Sequence, residues 1–159
     1  SHKRNDATMK HLEPYINRLK NFGYKVTHQR LVVLDYLQHS KEHPSAETIY
    51  NDLKERYPTI SLATIYNTLE MLTRVGLVLD LGAPEERRRF DGNTSDHSHF
   101  FCTNCGKIED IVVPGVEKVM NKVKQDTSRH IDRCRLDFFG RCAVCESENN
   151  NHSDKQRPD

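Results

Sequence analysis

The 159-residue sequence lacks any apolar run approaching the ~20 residues of a membrane span, so no membrane contact is expected. It also lacks a stretch that reads as a signal peptide. Its first residues are polar, with Ser1-His2 reading as a cloning remnant, and a cytoplasmic location is the expectation. A strong charge of either sign is missing too: 24 Lys and Arg stand against 23 Asp and Glu, a formal +1. The distribution is slightly uneven, with 14 basic against 11 acidic residues over 1–90 and 10 against 12 over 91–159, which by itself says little about nucleic acid. Cysteine is absent from the first half, and no internal repeat is present. The length suffices for one compact domain or two small ones, each of which would gain from a staple or a partner.

What the first half has is helical periodicity. Residues 10–22 carry Leu12, Ile16 and Leu19 at helical spacing, with Gly23 as a stop. Thr27 suits the N-cap of a helix reaching about Leu37, with Leu31, Leu34 and Leu37 on one face. Pro44-Ser45 opens a third helix holding Ile49 and Leu53 and ending near Tyr57-Pro58. Ser61 caps a fourth over about 61–75, with Ile65, Leu69 and Leu72 inward and Gly76 past its end. Leu77-Val78-Leu79, a turn at Gly82-Ala83-Pro84 and the run Arg87-Arg88-Arg89-Phe90 read as a short hairpin. Helices followed by a hairpin outline a winged helix-turn-helix, with 61–75 as the reading helix. Its outward face presents Ala63, Asn67, Glu70 and Arg74, flanked by Thr64 and Tyr66, side chains able to reach phosphates and base edges from the major groove. Periodicity alone fits equally a helical domain whose polar face is merely solvated.

Asp91-Gly92-Asn93 then punctuates the chain as a candidate hinge. Beyond it, Phe100-Phe101 and Ile108–Val113 read as strands, Val116, Val119, Met120 and Val123 as a helix, and Arg133–Arg141 as a further strand. From Glu146 onward the sequence is polar and reads as disordered. Cys102-Thr-Asn-Cys105 and Cys142-Ala-Val-Cys145 are two C-x-x-C knuckles. Together they can complete the closed tetrahedral thiolate shell that Zn²⁺ accepts, a structural site with no position left for substrate. A redox pair is the competing reading of a single C-x-x-C. Cys134 is left over, at alternate-residue spacing in the last expected strand, as a buried or half-buried thiol.

His97-Ser-His99 precedes the first knuckle, and in a strand its two imidazoles point to one face. With His43, Asp91 and Asp110 they offer three nitrogens and two carboxylates. That mixture suits Fe²⁺, Mn²⁺ or Co²⁺ better than a thiolate site does. Each residue also has a plainer reading: His43 before Pro44 as a surface loop residue, Asp91-Gly92 as a turn.

Taken together these residues resemble the ferric uptake regulator (Fur) family. The matching motifs are Val26-Thr-His-Gln-Arg30, His43-Pro-Ser-Ala-Glu-Thr-Ile-Tyr50, Ile60-Ser-Leu-Ala-Thr-Ile-Tyr66-Asn, Arg89-Phe-Asp91 and His97-x-His99-x-x-Cys102-x-x-Cys105-Gly106-Lys-Ile, spread over roughly 12–146. The resemblance implies an α+β chain: a winged helix-turn-helix DNA-binding domain over 1–90, a small α/β metal-binding dimerisation domain with a four-cysteine zinc site over 91–148, and a disordered tail over 149–159. It implies a homodimer on double-stranded operator DNA, structural Zn²⁺ on Cys102, Cys105, Cys142 and Cys145, and regulatory Fe²⁺ or Mn²⁺ on His43, Asp91, His97, His99 and Asp110. Asp at position 110 looks like the peroxide-sensing branch, where oxidation of His43 or His97 would release DNA; a plain iron-responsive repressor is the alternative. A peripheral metal site of some relatives maps onto Asp96, Ser98, Glu117 and Cys134, and because Ser98 is a poor ligand no site is expected there. DNA contacts are expected from Arg30, Thr64, Tyr66, Asn67 and Arg74, with Arg87–Arg89 near phosphate. His28 departs from the Pro that many relatives carry after the cap, a small local change. Two other classes stand against this one. A hydrolase built on His97, His99 and a carboxylate lacks any accompanying nucleophile or general-base motif, so no enzyme is expected. A zinc-stapled interaction module would not bind DNA.

Overall fold

The computed structural model describes residues 10–82 and 88–153, with side chains through 149. Arg87 and the Ala83-Pro84 part of the expected turn lie outside the described residues, as does the tail from 154. The described residues divide into two compact units, with the division after Thr94.

The first unit starts with a 3-10 turn, Lys10–Leu12, running into α1 (Glu13–Asn21), followed by α2 (His28–His39), α3 (Ala46–Leu53) and α4 (Leu62–Arg74). Three helices open on the hydroxyl caps expected from the sequence. Thr27 accepts from Arg30 N at 3.3 Å, Ser45 from Thr48 N at 3.2 Å and Ser61 from Thr64 N at 3.1 Å. At the end of α4 the chain reverses through Gly76 at φ +74°, with Leu77 N donating to Leu72 O and Gly76 N to Thr73 O, a left-handed cap that favours glycine. Inside lie Leu12, Leu19, Val33, Leu34, Leu37, Ile49, Ile65, Leu69, Leu72 and Phe90. Each fully buried large side chain contributes roughly 1.5–3 kcal/mol. On α2 the buried set is Val32, Val33, Leu34 and Leu37, while Leu31 is only half-buried. The expected one-face stripe is therefore wider and shifted, as befits a central helix enclosed on more than one side. Helix α3 stops at Leu53, before the expected end near Tyr57. The wing strands β1 (Leu79–Gly82) and β2 (Arg89–Asp91) pair antiparallel, Leu79 with Asp91 and Asp80 with Phe90.

Gly92 is not a free hinge. A Cβ there would meet the Leu37 carbonyl oxygen at 2.5 Å. Its own carbonyl accepts from Gln38 Nε2 at 3.1 Å, and Gln38 Oε1 accepts from Tyr15 OH at 2.8 Å. The residue after Asp91 is thus held against the end of α2.

The second unit contains β3 (Ser98–Cys102), β4 (Ile108–Ile111), α5 (Val116–Thr127), β5 (Asp137–Gly140) and α6 (Ala143–Ser153). The sheet order is β4-β3-β5, with β4 antiparallel and β5 parallel to β3. Two expectations are corrected. The strand expected over Arg133–Arg141 is only β5, and Cys134 sits half-buried in the irregular segment before it: the sequence alternates there, but the pairing with β3 begins only at Asp137. The polar stretch from Glu146 is helical through Ser153, its first turn fixed by the second knuckle, with Glu146 N donating to Cys142 O at 2.9 Å. No residue of α5 is fully buried, and Val119 and Val123 are exposed, as are Phe138 and Phe139.

Candidate metal centres and reading helix

The cysteine knot is assembled where β3 ends and α6 begins. Cys102 closes β3, the chain turns through Cys105, and Gly106 N returns to Cys102 O at 2.9 Å. The four thiols lie within 4.8 Å of one another, and Cys105 Sγ is 3.8 Å from Cys142 Sγ. A tetrahedral zinc shell with bonds near 2.3 Å places its sulfurs about 3.8 Å apart, so the residues fit the ion. The electrostatics agree. Hydrogen bonding from the backbone of Cys105, and then of Cys142, pulls the Cys102 thiol down to about 6. Cys145 is pushed up to about 12: the Asn104 side chain favours its thiolate, but the Cys142 thiol, burial and the remaining thiols outweigh that. A bare cluster cannot hold four thiolates, and a dication removes that conflict. All five cysteines are free of disulfides.

The histidine and carboxylate ligands fall into two sets, one in each unit. In the first, His43 Nε2 lies 3.3 Å from Asp91 Oδ2, and both side chains are almost wholly buried. The segment bearing His43 is stitched to β2: Phe90 N donates to Pro44 O at 3.0 Å, and Arg89 Nε donates to the His43 carbonyl. Asp91 Oδ1 accepts from Asn93 N at 2.8 Å. His43 lies in an irregular segment but is buried rather than at the surface, and Asp91 is buried while its carboxylate also caps the turn at Gly92-Asn93.

In the second unit, His97 Nε2 and His99 Nε2 approach the same oxygen, Asp110 Oδ1, at 3.4 and 3.5 Å. Strand pairing explains this, since His99 lies opposite Asp110 in the β3–β4 register. His97 Nδ1 donates to Ser95 O at 2.6 Å, which fixes that ring and presents its Nε2 to an ion, while Asp137 Oδ1 lies 3.8 Å from His99 Nδ1, a charge beside the ring at more than hydrogen-bond distance. Asp137 was missed in the sequence. Its signal is the parallel register that pairs it with His99, legible only once β5 is known to lie beside β3. Asp96, Ser98, Glu117 and Cys134 line one cavity of about 220 Å³, but among the described residues no three metal-ligating atoms converge there.

On α4, Ala63, Tyr66, Asn67, Glu70 and Arg74 are exposed, while Thr64 is half-buried with its hydroxyl 2.9 Å from Ser61 Oγ. Tyr66 OH donates to Glu47 at 2.5 Å, a bond that raises the phenol's pKa, and Arg74 Nη1 donates to Tyr24 OH at 3.4 Å. Arg30 in α2 donates to the Lys25 carbonyl. In the wing, Arg88 pairs with Asp80 at 2.7 Å and Arg89 is engaged with His43, which narrows the expected phosphate role of that run.

A helix-turn-helix with a two-stranded wing, followed by a sheet unit closed by four thiolates, defines a metal-binding regulator of the winged-helix class. The ferric uptake regulator family model matches residues 21–139. The peroxide operon regulator of Bacillus subtilis is 38% identical over 139 residues, covering 87% of this chain and 96% of that protein. The peroxide-responsive repressor PerR of Staphylococcus epidermidis is 37% identical, covering 87% and 93%. The solved ferric uptake regulator of Helicobacter pylori, described as having three functional metal binding sites, matches with TM-score 0.74 and 26% identity over 85% of this chain and 91% of its own. This chain belongs to the ferric uptake regulator family. It is a metal-responsive transcription regulator and not an enzyme.

Proposed function

We propose that the chain is a cytoplasmic, peroxide-responsive repressor that binds double-stranded operator DNA as a homodimer while its regulatory metal is in place. The observation that carries this reading is the ligand chemistry beside β3: two imidazoles whose Nε2 atoms approach one oxygen of Asp110. That set supplies three ligands, and His43 with Asp91 supplies two, so neither set alone fills a shell. One Fe²⁺ or Mn²⁺ taking its ligands from these residues would favour the DNA-competent state; by linkage, DNA would tighten the metal. Zinc on Cys102, Cys105, Cys142 and Cys145 holds the second unit together. The exposed Val119, Val123, Phe138 and Phe139 are the apolar surface available to a second copy. Arg30, Thr64, Tyr66, Asn67 and Arg74 are the proposed DNA contacts, and binding weakens with salt as phosphate contacts release counterions.

Ferrous iron held by these residues would supply one-electron chemistry toward hydrogen peroxide, lending an electron and recovering it, so that the net exchange is between the peroxide and one histidine. One peroxide oxygen ends on ring C2 of His43 or His97 and the other leaves as water. The ring C–H becomes C=O, with the hydrogen moved to nitrogen, so the histidine is oxidised and the peroxide reduced. A ligand so altered no longer serves the site, and DNA is released. Mass spectrometry of the Fe²⁺ form after dilute peroxide is expected to find one histidine heavier by one oxygen, about +16 Da, and the Mn²⁺ form unchanged. The second reading, an iron-responsive repressor without peroxide chemistry, uses the same ligands and draws on the likeness to the H. pylori regulator. Unaltered histidines in the peroxide-treated iron form select it.

A further inference from the structure

We propose that His11, Asp35 and His39 form a separate site for a late first-row divalent cation, where the N-terminal 3-10 turn meets the last turn of α2. None of the three belongs to the cysteine knot or to the regulatory ligand sets. His11 Nε2 lies 2.7 Å and His39 Nδ1 3.3 Å from the same oxygen, Asp35 Oδ1. The two rings meet edge to face with centroids 5.3 Å apart, and ligand atoms of all three residues lie within 4.8 Å of one another. Bonds of about 2.0–2.1 Å place neighbouring ligand atoms roughly 2.9 Å apart in an octahedral shell and roughly 3.3 Å apart in a tetrahedral one. The two nitrogen–oxygen separations, 2.7 and 3.3 Å, lie close to those values.

The framework beneath it is rigid. Asp35 and His39 stand one turn apart on α2 and share a face. His11 is set by its neighbour Leu12, which is fully buried in the core. His39 ends α2, where the helix dipole favours a cation. In the metal-free protein His39 Nδ1 donates to the Asp35 carbonyl at 2.9 Å, so a cation bound through that nitrogen displaces its proton. Two imidazoles and one carboxylate select Zn²⁺, Ni²⁺ or Cu²⁺ over Mg²⁺ or Ca²⁺ and leave positions for water. The ligands are solvent-accessible, so the ion exchanges readily and acts as a clip between the turn and α2. Gln38, beside His39, holds the Gly92 carbonyl, so the clip stiffens the part of α2 on which Gly92 rests.

The test uses the full chain with zinc on its cysteines and His97→Ala and His99→Ala removing the regulatory pair. Ni²⁺ is titrated by calorimetry and thermal melting is followed with and without it. The expected result is one Ni²⁺ event and a rise in Tm, with the affinity falling roughly tenfold or more when His11→Ala, His39→Ala or the isosteric Asp35→Asn is added. Far-UV circular dichroism confirms that each variant is folded. Ni²⁺ binding and a Tm shift that survive all three substitutions, or a parent protein with neither, would overturn the proposal and leave the cluster an ion pair only.

Discussion

Replacing Gly92 with alanine tests how the residue after Asp91 is held. The new Cβ would sit 2.5 Å from the Leu37 carbonyl oxygen, 2.8 Å from its carbon and 3.3 Å from its Cβ. The two nearest atoms are backbone of α2, so no side chain can rotate away, and either the helix end or residues 91–93 must move. Overpacking of this kind costs about 1–3 kcal/mol. The shift also stretches the Gln38–Gly92 hydrogen bond, a net contribution of about 1 kcal/mol. Reduced freedom of the unfolded chain offsets about 0.4–1 kcal/mol. The balance is a loss of about 2 kcal/mol, or roughly 8–16 °C in the melting temperature of a unit this size. Calorimetry of the zinc-loaded protein measures it. Because Asp91 is the preceding residue and pairs with His43, the same variant should bind Mn²⁺ more weakly. A Gly92→Ala protein that melts with the parent and titrates Mn²⁺ identically would refute the reasoning.

Three further outcomes follow from the geometry. Cys142→Ser should remove one zinc by native mass spectrometry and abolish amide-exchange protection of β3 and β5, while α2 and α4 stay protected; persistent sheet protection would mean that the knot is not what holds the unit. Ser61→Ala removes the hydroxyl that caps Thr64 N, so urea denaturation should register a loss of about 1 kcal/mol. Asp137→Asn leaves the metal ligands in place but removes the carboxylate charge 3.8 Å from His99 Nδ1, and Mn²⁺ affinity should fall; an unchanged affinity would deny Asp137 an electrostatic role at the site.

Local chemistry carried most of what could be foreseen. Thr27, Ser45 and Ser61 cap helices because a hydroxyl at that spacing satisfies an amide with no helical partner, a rule that needs no tertiary information. Each knuckle was legible for the same reason, since C-x-x-C spacing aims its two sulfurs at one point, and the β3–β5 pairing brings the two knuckles together. What stayed hidden depends on strand order and burial. Asp137 comes beside His99 only because β5 runs parallel to β3, a pairing with no signature in the intervening sequence. The apolar spacing of Val116, Val119, Met120 and Val123 reads as a helix, which forms as α5, yet none of its residues is fully buried, because periodicity identifies a stripe and not what covers it. Gly92 read as a flexible point, whereas its missing side chain serves a close approach to Leu37. The stretch after Glu146 is polar enough to read as disordered, and its helix starts at a cysteine knuckle that composition does not weigh.

The central claim is that the His43, Asp91, His97, His99 and Asp110 ligands make DNA binding depend on a metal that peroxide can turn against its own site. The direct measurement is fluorescence anisotropy on duplex DNA selected from a random pool by the Mn²⁺-loaded protein, repeated with Fe²⁺ or Mn²⁺ before and after dilute hydrogen peroxide. The account predicts tight binding with either metal, loss of binding after peroxide for the Fe²⁺ form alone, and no metal-dependent binding by His97→Ala. Binding that ignores the metal, or an Fe²⁺ complex that survives peroxide as well as the Mn²⁺ complex does, would contradict it.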